Sequence, residues 1–262
     1  MPSPGPMSEQ YYVAGPERAS RVRALFDRIA PRYDLINDLQ SFGLHRLWKK
    51  NLLNLANIQP GMRALDICCG TGDLALAMAG AEAQVIGCDF SSRMLEVARE
   101  RAAKLSTRQP PKFIQADALA LPLAEERFEI VTIGYGLRNL ADLESGIAEL
   151  LRVLKPGGQL LILDFGKPRN RVWRWIYFTY LRAVVPLFGL VFCGDAAAYS
   201  YILESLVHYP AQEGVTRLLS ERGCEVQLHE FLGGVMSINR AVKPASLRER
   251  DDVPLVTRDF VG

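Results

Sequence analysis

The sequence has little that would fit a secreted, metal-binding or nucleic-acid-binding protein. No CxxC pair and no metal-ligand spacing occurs among its five cysteines, which are Cys68, Cys69, Cys88, Cys193 and Cys224. This pattern favours free thiols in a reducing compartment over a disulfide framework, and no metal site is expected. The net charge of +2 comes without a dense basic stripe, so no nucleic-acid partner is predicted. Residues 1–15 lack the apolar run of a signal peptide, and we expect a cytoplasmic protein.

What the sequence does have is an alternation of short β-branched runs with helical stretches, which predicts an α/β fold. The predicted strands cover residues 63–68, 84–88, 112–115, 128–133, 159–164, 225–230 and 235–242. The predicted helices cover residues 17–30, 43–56, 72–80, 91–104, 143–153 and 211–222, with further helices within 169–208. The result is a mostly parallel seven-stranded sheet that ends in an antiparallel hairpin.

Local signals add three details to this arrangement. Pro31 is predicted to separate the first two helices, Ser91 to cap the helix that follows it, and Lys155 to Gly158 to form a turn. The predicted organisation is a flexible leader at 1–15, one domain at 16–243 with a helical lid at 16–60 and a helical insertion at 169–208, and a charged tail at 244–262.

Acidic residues stand at or just beyond the ends of three successive strands, at Asp66, Asp89 and Asp117. The carboxyl ends of parallel strands form the edge at which a doubly wound sheet binds its ligand. Asp89 can accept hydrogen bonds from ribose hydroxyls, and Asp117 can bind an adenine amino group. The glycines of the first loop let a ligand approach the backbone at the start of a helix. The candidate cofactor site therefore comprises Asp66, Gly70, Thr71, Gly72, Asp89, Asp117 and Ala118.

Two cofactors fit these residues. A dinucleotide-binding loop reads G-x-G-x-x-G, but here position 75 is Ala. The acid after the third strand, Asp117, favours S-adenosylmethionine. A nicotinamide-dependent oxidoreductase remains the alternative of a different class.

Three motifs resemble those of the ubiquinone/menaquinone biosynthesis methyltransferase family. Tyr33 to Trp48 resembles its first signature, Arg152 to Gly158 its second, and Gly136 to Asn139 the block after the fourth strand. The resemblance covers residues 17–243. It implies a Rossmann-like class I methyltransferase fold, S-adenosylmethionine as cofactor and a prenylated quinol as substrate.

The sequence departs from many family members at Gly134, where they have serine, so a side-chain contact with the cofactor is lost there. Gly134-Tyr135 and Asp164-Phe165 instead look like the branch that methylates naphthoquinols. The resemblance therefore implies C-methylation of demethylmenaquinol to menaquinol. A polyprenyl-methoxy-benzoquinol of ubiquinone biosynthesis and a phytyl-naphthoquinol remain alternative substrates.

Carbon methylation of a quinol requires a nucleophilic ring carbon, which forms when the adjacent hydroxyl loses its proton. Arg138, at the end of the fourth strand, is a candidate for stabilising the quinol oxygen, with Asn139 as its hydrogen-bond partner. The alternative for Arg138 is an ion pair with a carboxylate such as Asp142. By resemblance His45 is a candidate catalytic residue, although a lone histidine is more often structural. Tyr33 either closes on the methionine moiety or is a core residue.

An apolar stretch from Trp173 to Phe192 is the candidate trough for the prenyl tail. Arg182 and Pro186 near its middle disfavour a membrane span. Residues 171–193 could also contact the inner face of the membrane through their arginines, or form a homodimer surface. His208 and Tyr209, which close the insertion, are further candidates for contact with the quinol.

Overall fold

The computed structural model describes residues 16–30, 33–193 and 197–245. The helices are α1 (Pro16–Ile29), α2 (Tyr33–Ser41), α3 (Leu44–Ala56), α4 (Asp73–Gly80), α5 (Ser92–Ala102), α6 (Leu143–Val153), α7 (Arg171–Cys193), α8 (Ala197–His208) and α9 (Ala211–Glu221). The strands are β1 (Arg63–Ile67), β2 (Gln84–Asp89), β3 (Lys112–Gln115), β4 (Phe128–Gly134), β5 (Leu154–Phe165), β6 (Glu225–Phe231) and β7 (Met236–Val242). The predicted leader, the break at Pro31 and all but the first two residues of the predicted tail lie outside the described residues.

The strands form one seven-stranded sheet in the order β3-β2-β1-β4-β5-β7-β6. The pairs from β3 to β5 are parallel, and β7 is antiparallel to both β5 and β6. The predicted α/β fold with a terminal antiparallel hairpin is therefore confirmed. Strand β1 lies in the middle of the parallel part, so the loop after it faces ends of neighbouring strands on both sides.

Both faces of the sheet are buried, as the apolar strands require. Along β5, Leu160 and Ile162 belong to one core, while Leu161 and Leu163 belong to the other. Helices α3 and α4 cover the second face, through residues such as Leu52. This two-sided burial leaves the carboxyl edge of the parallel strands as the open place for a ligand.

The predicted turn at Lys155 to Gly158 is wrong, because these residues belong to strand β5. Leu154 pairs with Phe128, but the next pair along β4 joins Ile130 to Gln159. The extra residues bulge out of the ladder, with Gly157 in the left-handed region at φ +74°. Two backbone hydrogen bonds with Lys243 satisfy the bulge. The Gly157 amide donates to the Lys243 carbonyl, and the Lys243 amide donates to the Gly158 carbonyl. A Pro-Gly-Gly sequence marks the bend correctly but does not distinguish a bulge from a turn.

Helix α2 is an element that the sequence did not predict. It ends where Phe42 and Gly43 adopt left-handed conformations, with φ of 52° and 75°. The predicted cap of α5 is confirmed, since the Ser91 side chain accepts a hydrogen bond from the amide of Met94. Asp142 caps α6 in the same way, so it is not available as the partner of Arg138.

Helices α7 and α8 occupy the predicted insertion, and Pro186 lies inside α7. Within the part of the chain that the structure describes, neither these nor the other helices combine the length and apolar character needed to cross a membrane.

Candidate cofactor and substrate site

A cavity of about 860 Å³ lies at the carboxyl ends of β1 to β4, and we call it the first cavity. Predicted cofactor residues that line it are Tyr33, Gly70, Asp89, Asp117, Ala118 and Gly134. Asn139, predicted as a catalytic residue, lines this cavity as well. Residues from strand ends far apart in the sequence therefore meet here, as the spacing of the strand-end acids predicted.

Asp89 is the most constrained acid of the first cavity. Its Oδ2 accepts a hydrogen bond from the Gly70 amide at 2.8 Å, and its Oδ1 accepts one from the Ser91 amide at 2.9 Å. Burial raises the pKa of this carboxyl to about 6 against the lowering effect of these hydrogen bonds. Each oxygen keeps a further lone pair, so the carboxylate can still accept from two hydroxyls of a ribose.

Asp117 follows β3, the strand next to β2, and lines the same cavity. Its Oδ1 accepts a hydrogen bond from the Leu119 amide at 2.9 Å, which fixes the carboxylate at the start of a tight turn. Ala118 is buried beside it. The first cavity thus has two acids from neighbouring strand ends in an otherwise largely apolar lining, an arrangement that fits adenosine.

A smaller cavity adjoins the first one and contains the other predicted acid, Asp66, together with Thr71. Asp66 is only 1% exposed. It accepts hydrogen bonds from the Thr132 hydroxyl at 2.8 Å and from the Ala75 amide at 3.1 Å. Burial raises its pKa to about 7. These contacts join β1, β4 and α4, so Asp66 has a structural role in addition to lining the small cavity.

Gly72 is not among the residues that line the cavities described here. Its φ of +87° places it in the left-handed region at the N-terminus of α4. A Cβ added there would lie 3.2 Å from the Ala98 side chain and 3.3 Å from that of Phe113. The structure therefore explains this glycine by a turn and by close packing rather than by contact with a ligand.

A chain of ion pairs closes the small cavity from the lid side. Lys49 lies 2.6 Å from Asp73, and Arg101 joins Asp73 at 2.6 Å to Asp34 at 3.1 Å. Asp34 in turn accepts a hydrogen bond from the Thr71 hydroxyl at 2.8 Å. These contacts connect α2, α3, α4 and α5, and nothing in the sequence pattern indicated them.

A second large cavity of about 820 Å³ lies between the predicted lid and the helices of the insertion. Its apolar wall consists of Ile29, Trp48, Phe165, Leu181, Val185, Ile202, Val235 and Met236. Tyr33 and Tyr135 line this second cavity, the first cavity and the small cavity. The two tyrosines therefore stand where the cofactor pocket meets the apolar pocket.

The residues that line the second cavity include buried polar atoms that make no hydrogen bond in the described part of the chain. Among the described residues, buried atoms of this wall that make no hydrogen bond are the amide nitrogens of Asn37 and Gln40, Nδ1 of His45 and the hydroxyls of Tyr135 and Tyr177. Unsatisfied buried polar groups are rare in folded proteins and are costly. Their concentration around one apolar cavity is what a ligand with a polar head requires.

Arg138 lines the second cavity and is 5% exposed. Its guanidinium lies 2.7 Å from Asp164 and also donates to the Tyr135 carbonyl at 2.7 Å. The carboxylate partner is therefore Asp164 on β5 and not Asp142, which caps a helix. The guanidinium also lies over the Phe165 ring, 4.6 Å from its centroid.

Arg138 and Asn139 are not grouped as the sequence analysis expected. Arg138 faces the second cavity, whereas Asn139 lines the first. Both belong to a single 3-10 turn, Leu137–Asn139, which directs consecutive side chains in different directions. The Asn139 amide donates to the Tyr135 carbonyl at 3.3 Å, so this hydrogen bond joins it to the backbone and not to Arg138.

His45 lines the second cavity from α3, as a substrate-contacting residue would. Its Nε2 lies 2.8 Å from Asp38 on α2. His208 and Tyr209 are not among the lining residues of that cavity, although Tyr209 is buried. Site residues that the sequence analysis did not single out are Asn37, Gln40, Lys49, Tyr135 and Tyr177.

Comparisons with known proteins identify the family of this chain. The profile described as the ubiE/COQ5 methyltransferase family matches residues 15–243. The ubiquinone/menaquinone biosynthesis C-methyltransferase of Ectopseudomonas mendocina is 40% identical over 232 residues, which are 87% of this chain and 91% of that protein. The demethylmenaquinone methyltransferase of Desulfitobacterium hafniense is 40% identical over 235 residues, with 88% and 93% covered.

Among solved structures, the magnesium protoporphyrin IX methyltransferase of Synechocystis with bound SAH superposes with a TM-score of 0.61. It is 19% identical and the match covers 86% of this chain and 99% of that one, so this likeness shows the fold alone. The family match favours the S-adenosylmethionine prediction over the nicotinamide alternative. The chain belongs to the ubiE/COQ5 methyltransferase family, to which the quinone methyltransferases named above are similar, and its methyl donor is S-adenosylmethionine.

Proposed function

We propose that the protein methylates a ring carbon of a prenylated quinol, with demethylmenaquinol as the substrate and menaquinol as the product. The observation that carries the proposal is the second cavity, an apolar space with unpaired polar atoms that meets the first cavity at Tyr33 and Tyr135. A quinol has the same division into a polar ring and an apolar tail. The name of the Desulfitobacterium hafniense relative supports the naphthoquinol, and that of the Ectopseudomonas mendocina relative keeps a benzoquinol as the alternative.

Within this proposal the first cavity holds S-adenosylmethionine, which supplies the methyl group. Asp89 accepts from the ribose hydroxyls, and Asp117 with Ala118 holds the adenine edge. Thr71 and Gly134 lie on the side of the small cavity, where the methionine part has room. The wall between the two large cavities then orients the donor toward the quinol ring, which is the positioning that a two-substrate reaction needs.

Arg138 contributes a positive charge to the quinol end of the second cavity. A quinol ring carbon becomes nucleophilic as its hydroxyl loses a proton, and a nearby guanidinium stabilises the developing oxyanion. The ion pair with Asp164 keeps the guanidinium in place, and the surrounding burial strengthens its electrostatic effect. A guanidinium is a donor only, so the proton acceptor must be another group.

We also propose that the outer face of α7 contacts the membrane from which the quinol comes. Val172, Trp175 and Ile176 are 68%, 69% and 44% exposed, while Tyr177 and Leu181 of the same helix line the second cavity. Exposed Arg171 adds positive charge beside them. Apolar side chains flanked by arginine suit an anionic lipid surface.

The first test is a methyl-transfer assay with the purified chain, S-adenosylmethionine and chemically reduced demethylmenaquinone, analysed by mass spectrometry. We expect a product heavier by one methyl group from the quinol and none from the oxidised quinone, whose ring is electron-poor. The matched comparison, assayed in parallel, is a polyprenyl-methoxy-benzoquinol that lacks the ring methyl group and has a tail of equal length. Turnover of the benzoquinol alone would contradict the menaquinone assignment, and turnover of neither would contradict the proposed function.

Asp89→Asn should weaken S-adenosylmethionine binding by about 10- to 100-fold, because a charged acceptor of ribose hydrogen bonds is lost. Equilibrium dialysis with labelled S-adenosylmethionine measures the change. Glu96→Gln, on the exposed face of α5, is the matched control and should bind as the wild type does. An unchanged dissociation constant for Asp89→Asn in a folded variant would remove Asp89 from the cofactor site.

Replacing Arg138 separates its structural role from its chemical one. Arg138→Met leaves Asp164 as an unpaired buried charge and should lower the free energy of unfolding by about 3–5 kcal/mol. Adding Asp164→Asn removes that charge, so the double variant should recover part of the stability, measured by urea denaturation. We expect its methyl transfer to remain lost. Recovered turnover in the double variant would mean that Arg138 serves the fold only.

The membrane contact is tested by flotation with vesicles of phosphatidylcholine containing an anionic phosphatidylglycerol fraction. Val172→Ser combined with Trp175→Ser should greatly reduce the floating fraction, because apolar area and the aromatic anchor are removed. Leu47→Ser, at a 51% exposed position on α3, is the control. If the double variant floats like the wild type, the α7 face is not the membrane contact. If the wild type is a dimer on gel filtration and the double variant is a monomer, that face serves self-association.

A further inference from the structure

His45 is a buried histidine with one ring nitrogen in a hydrogen bond and the other without a partner in the described part of the chain. It is 4% exposed and lies near the start of α3, in the wall of the second cavity. Nε2 makes a 2.8 Å hydrogen bond with Asp38 Oδ1. No residue in the described ranges makes a hydrogen bond to Nδ1, which is itself buried.

Asp38 determines which ring nitrogen carries the proton. Arg46 donates to both of its oxygens, at 2.7 Å and 2.6 Å, and together with His45 holds the pKa of Asp38 well below its usual range. An ionised carboxylate can only accept hydrogen bonds, so the Nε2 that contacts it carries the hydrogen. In the neutral ring, Nδ1 then has a free lone pair.

The surroundings keep the ring neutral. Burial lowers the pKa of His45, and Lys49 on the same helix lowers it further, while Asp38 on α2 and Asp73 on α4 act in the opposite direction. The titratable groups that face the same cavity from the elements packed around it are Tyr33, Tyr135, Arg138, Tyr177 and Tyr180. The net result is an unprotonated acceptor at neutral pH.

We propose that Nδ1 of His45 accepts the hydroxyl proton of the quinol and so acts as the general base of the methylation, with Asp38 as a positioning residue that fixes the tautomer. This inference rests on the proposed function, because it requires a quinol in the second cavity. An aspartate that holds a histidine by Nε2 fixes the tautomer in which Nδ1 is the acceptor.

The proton and electron movements balance as follows. The hydroxyl proton moves to Nδ1, and the electron pair of the O–H bond flows through the ring to the adjacent carbon. That carbon forms a bond to the methyl group as the methyl–sulfur bond breaks and its electrons stay on sulfur. Loss of the ring hydrogen as a proton to solvent restores aromaticity, and the oxygen takes back the proton held by His45.

The test compares His45→Gln with the wild type in the methyl-transfer assay with reduced demethylmenaquinone. The glutamine amide keeps a donor for Asp38, but its oxygen is not basic enough to take a proton in place of Nδ1. We expect kcat to fall by about 10²- to 10⁴-fold, the usual contribution of a general base, with S-adenosylmethionine binding unchanged. His229→Gln on β6, outside the lining of the second cavity, is the matched control.

The pH profile separates catalysis from a purely structural role. The pKa of His45 is lowered from 6.5, so wild-type kcat should fall as the pH drops below that value. This acid limb of the profile should be absent in His45→Gln. Asp38→Asn should move the limb to still lower pH, since Asp38 raises the pKa of His45. A folded His45→Gln variant that keeps its kcat or its acid limb would overturn the inference. If the wild type methylates no quinol, the proposed function fails, and the inference fails with it.

Discussion

A chain of ion pairs joins helices α2 and α3 to helices α4 and α5 beside the carboxyl edge of the sheet. Arg101 on α5 bridges Asp73 on α4 and Asp34 on α2, and Lys49 on α3 closes the chain on Asp73. Lys49 and Asp73 are only 13% and 24% exposed, so solvent screens their attraction less than it would on the surface. Tyr33, next to Asp34 in the sequence, lines all three cavities. The chain of ion pairs therefore connects the helix that carries Tyr33 to the helices packed on the sheet.

The two large cavities differ in how their polar groups are satisfied. In the first, Asp89 and Asp117 already accept backbone hydrogen bonds, so the protein has fixed the direction of each carboxylate before a ligand arrives. In the second, several buried polar atoms make no hydrogen bond within the described part of the chain. Leaving such atoms unpaired costs stability. The first cavity is therefore preorganised around charge, while the wall of the second keeps unused hydrogen-bonding capacity.

The parts of the fold that local sequence encodes were predictable. Alternating apolar runs located every strand of the sheet, and the acids at the strand ends identified Asp89 and Asp117. Helix α2 was missed because Asn, Asp and Ser residues weaken its intrinsic helical tendency, and contacts such as that of Asp34 with Arg101 stabilise it instead. Similarly, the bulge at Gly157 is stabilised by Lys243, which is distant in sequence. Long-range partners of this kind leave no trace in local periodicity.

Tyr135 connects these observations, because it lines all three cavities and its carbonyl holds the two residues that line different ones. Its φ of +62° is unusual for a residue with a side chain, and its carbonyl accepts hydrogen bonds from Arg138 and Asn139. A Cβ on the following Gly136 would lie 2.5 Å from the Cβ of Cys68, so only glycine leaves room for the Cys68 side chain here. The turn directs Arg138 to the second cavity and Asn139 to the first. The backbone conformation at Tyr135 and Gly136 therefore determines which side chains lie where the two cavities meet. A sequence motif can identify the glycine, but it does not give the directions of the side chains around it.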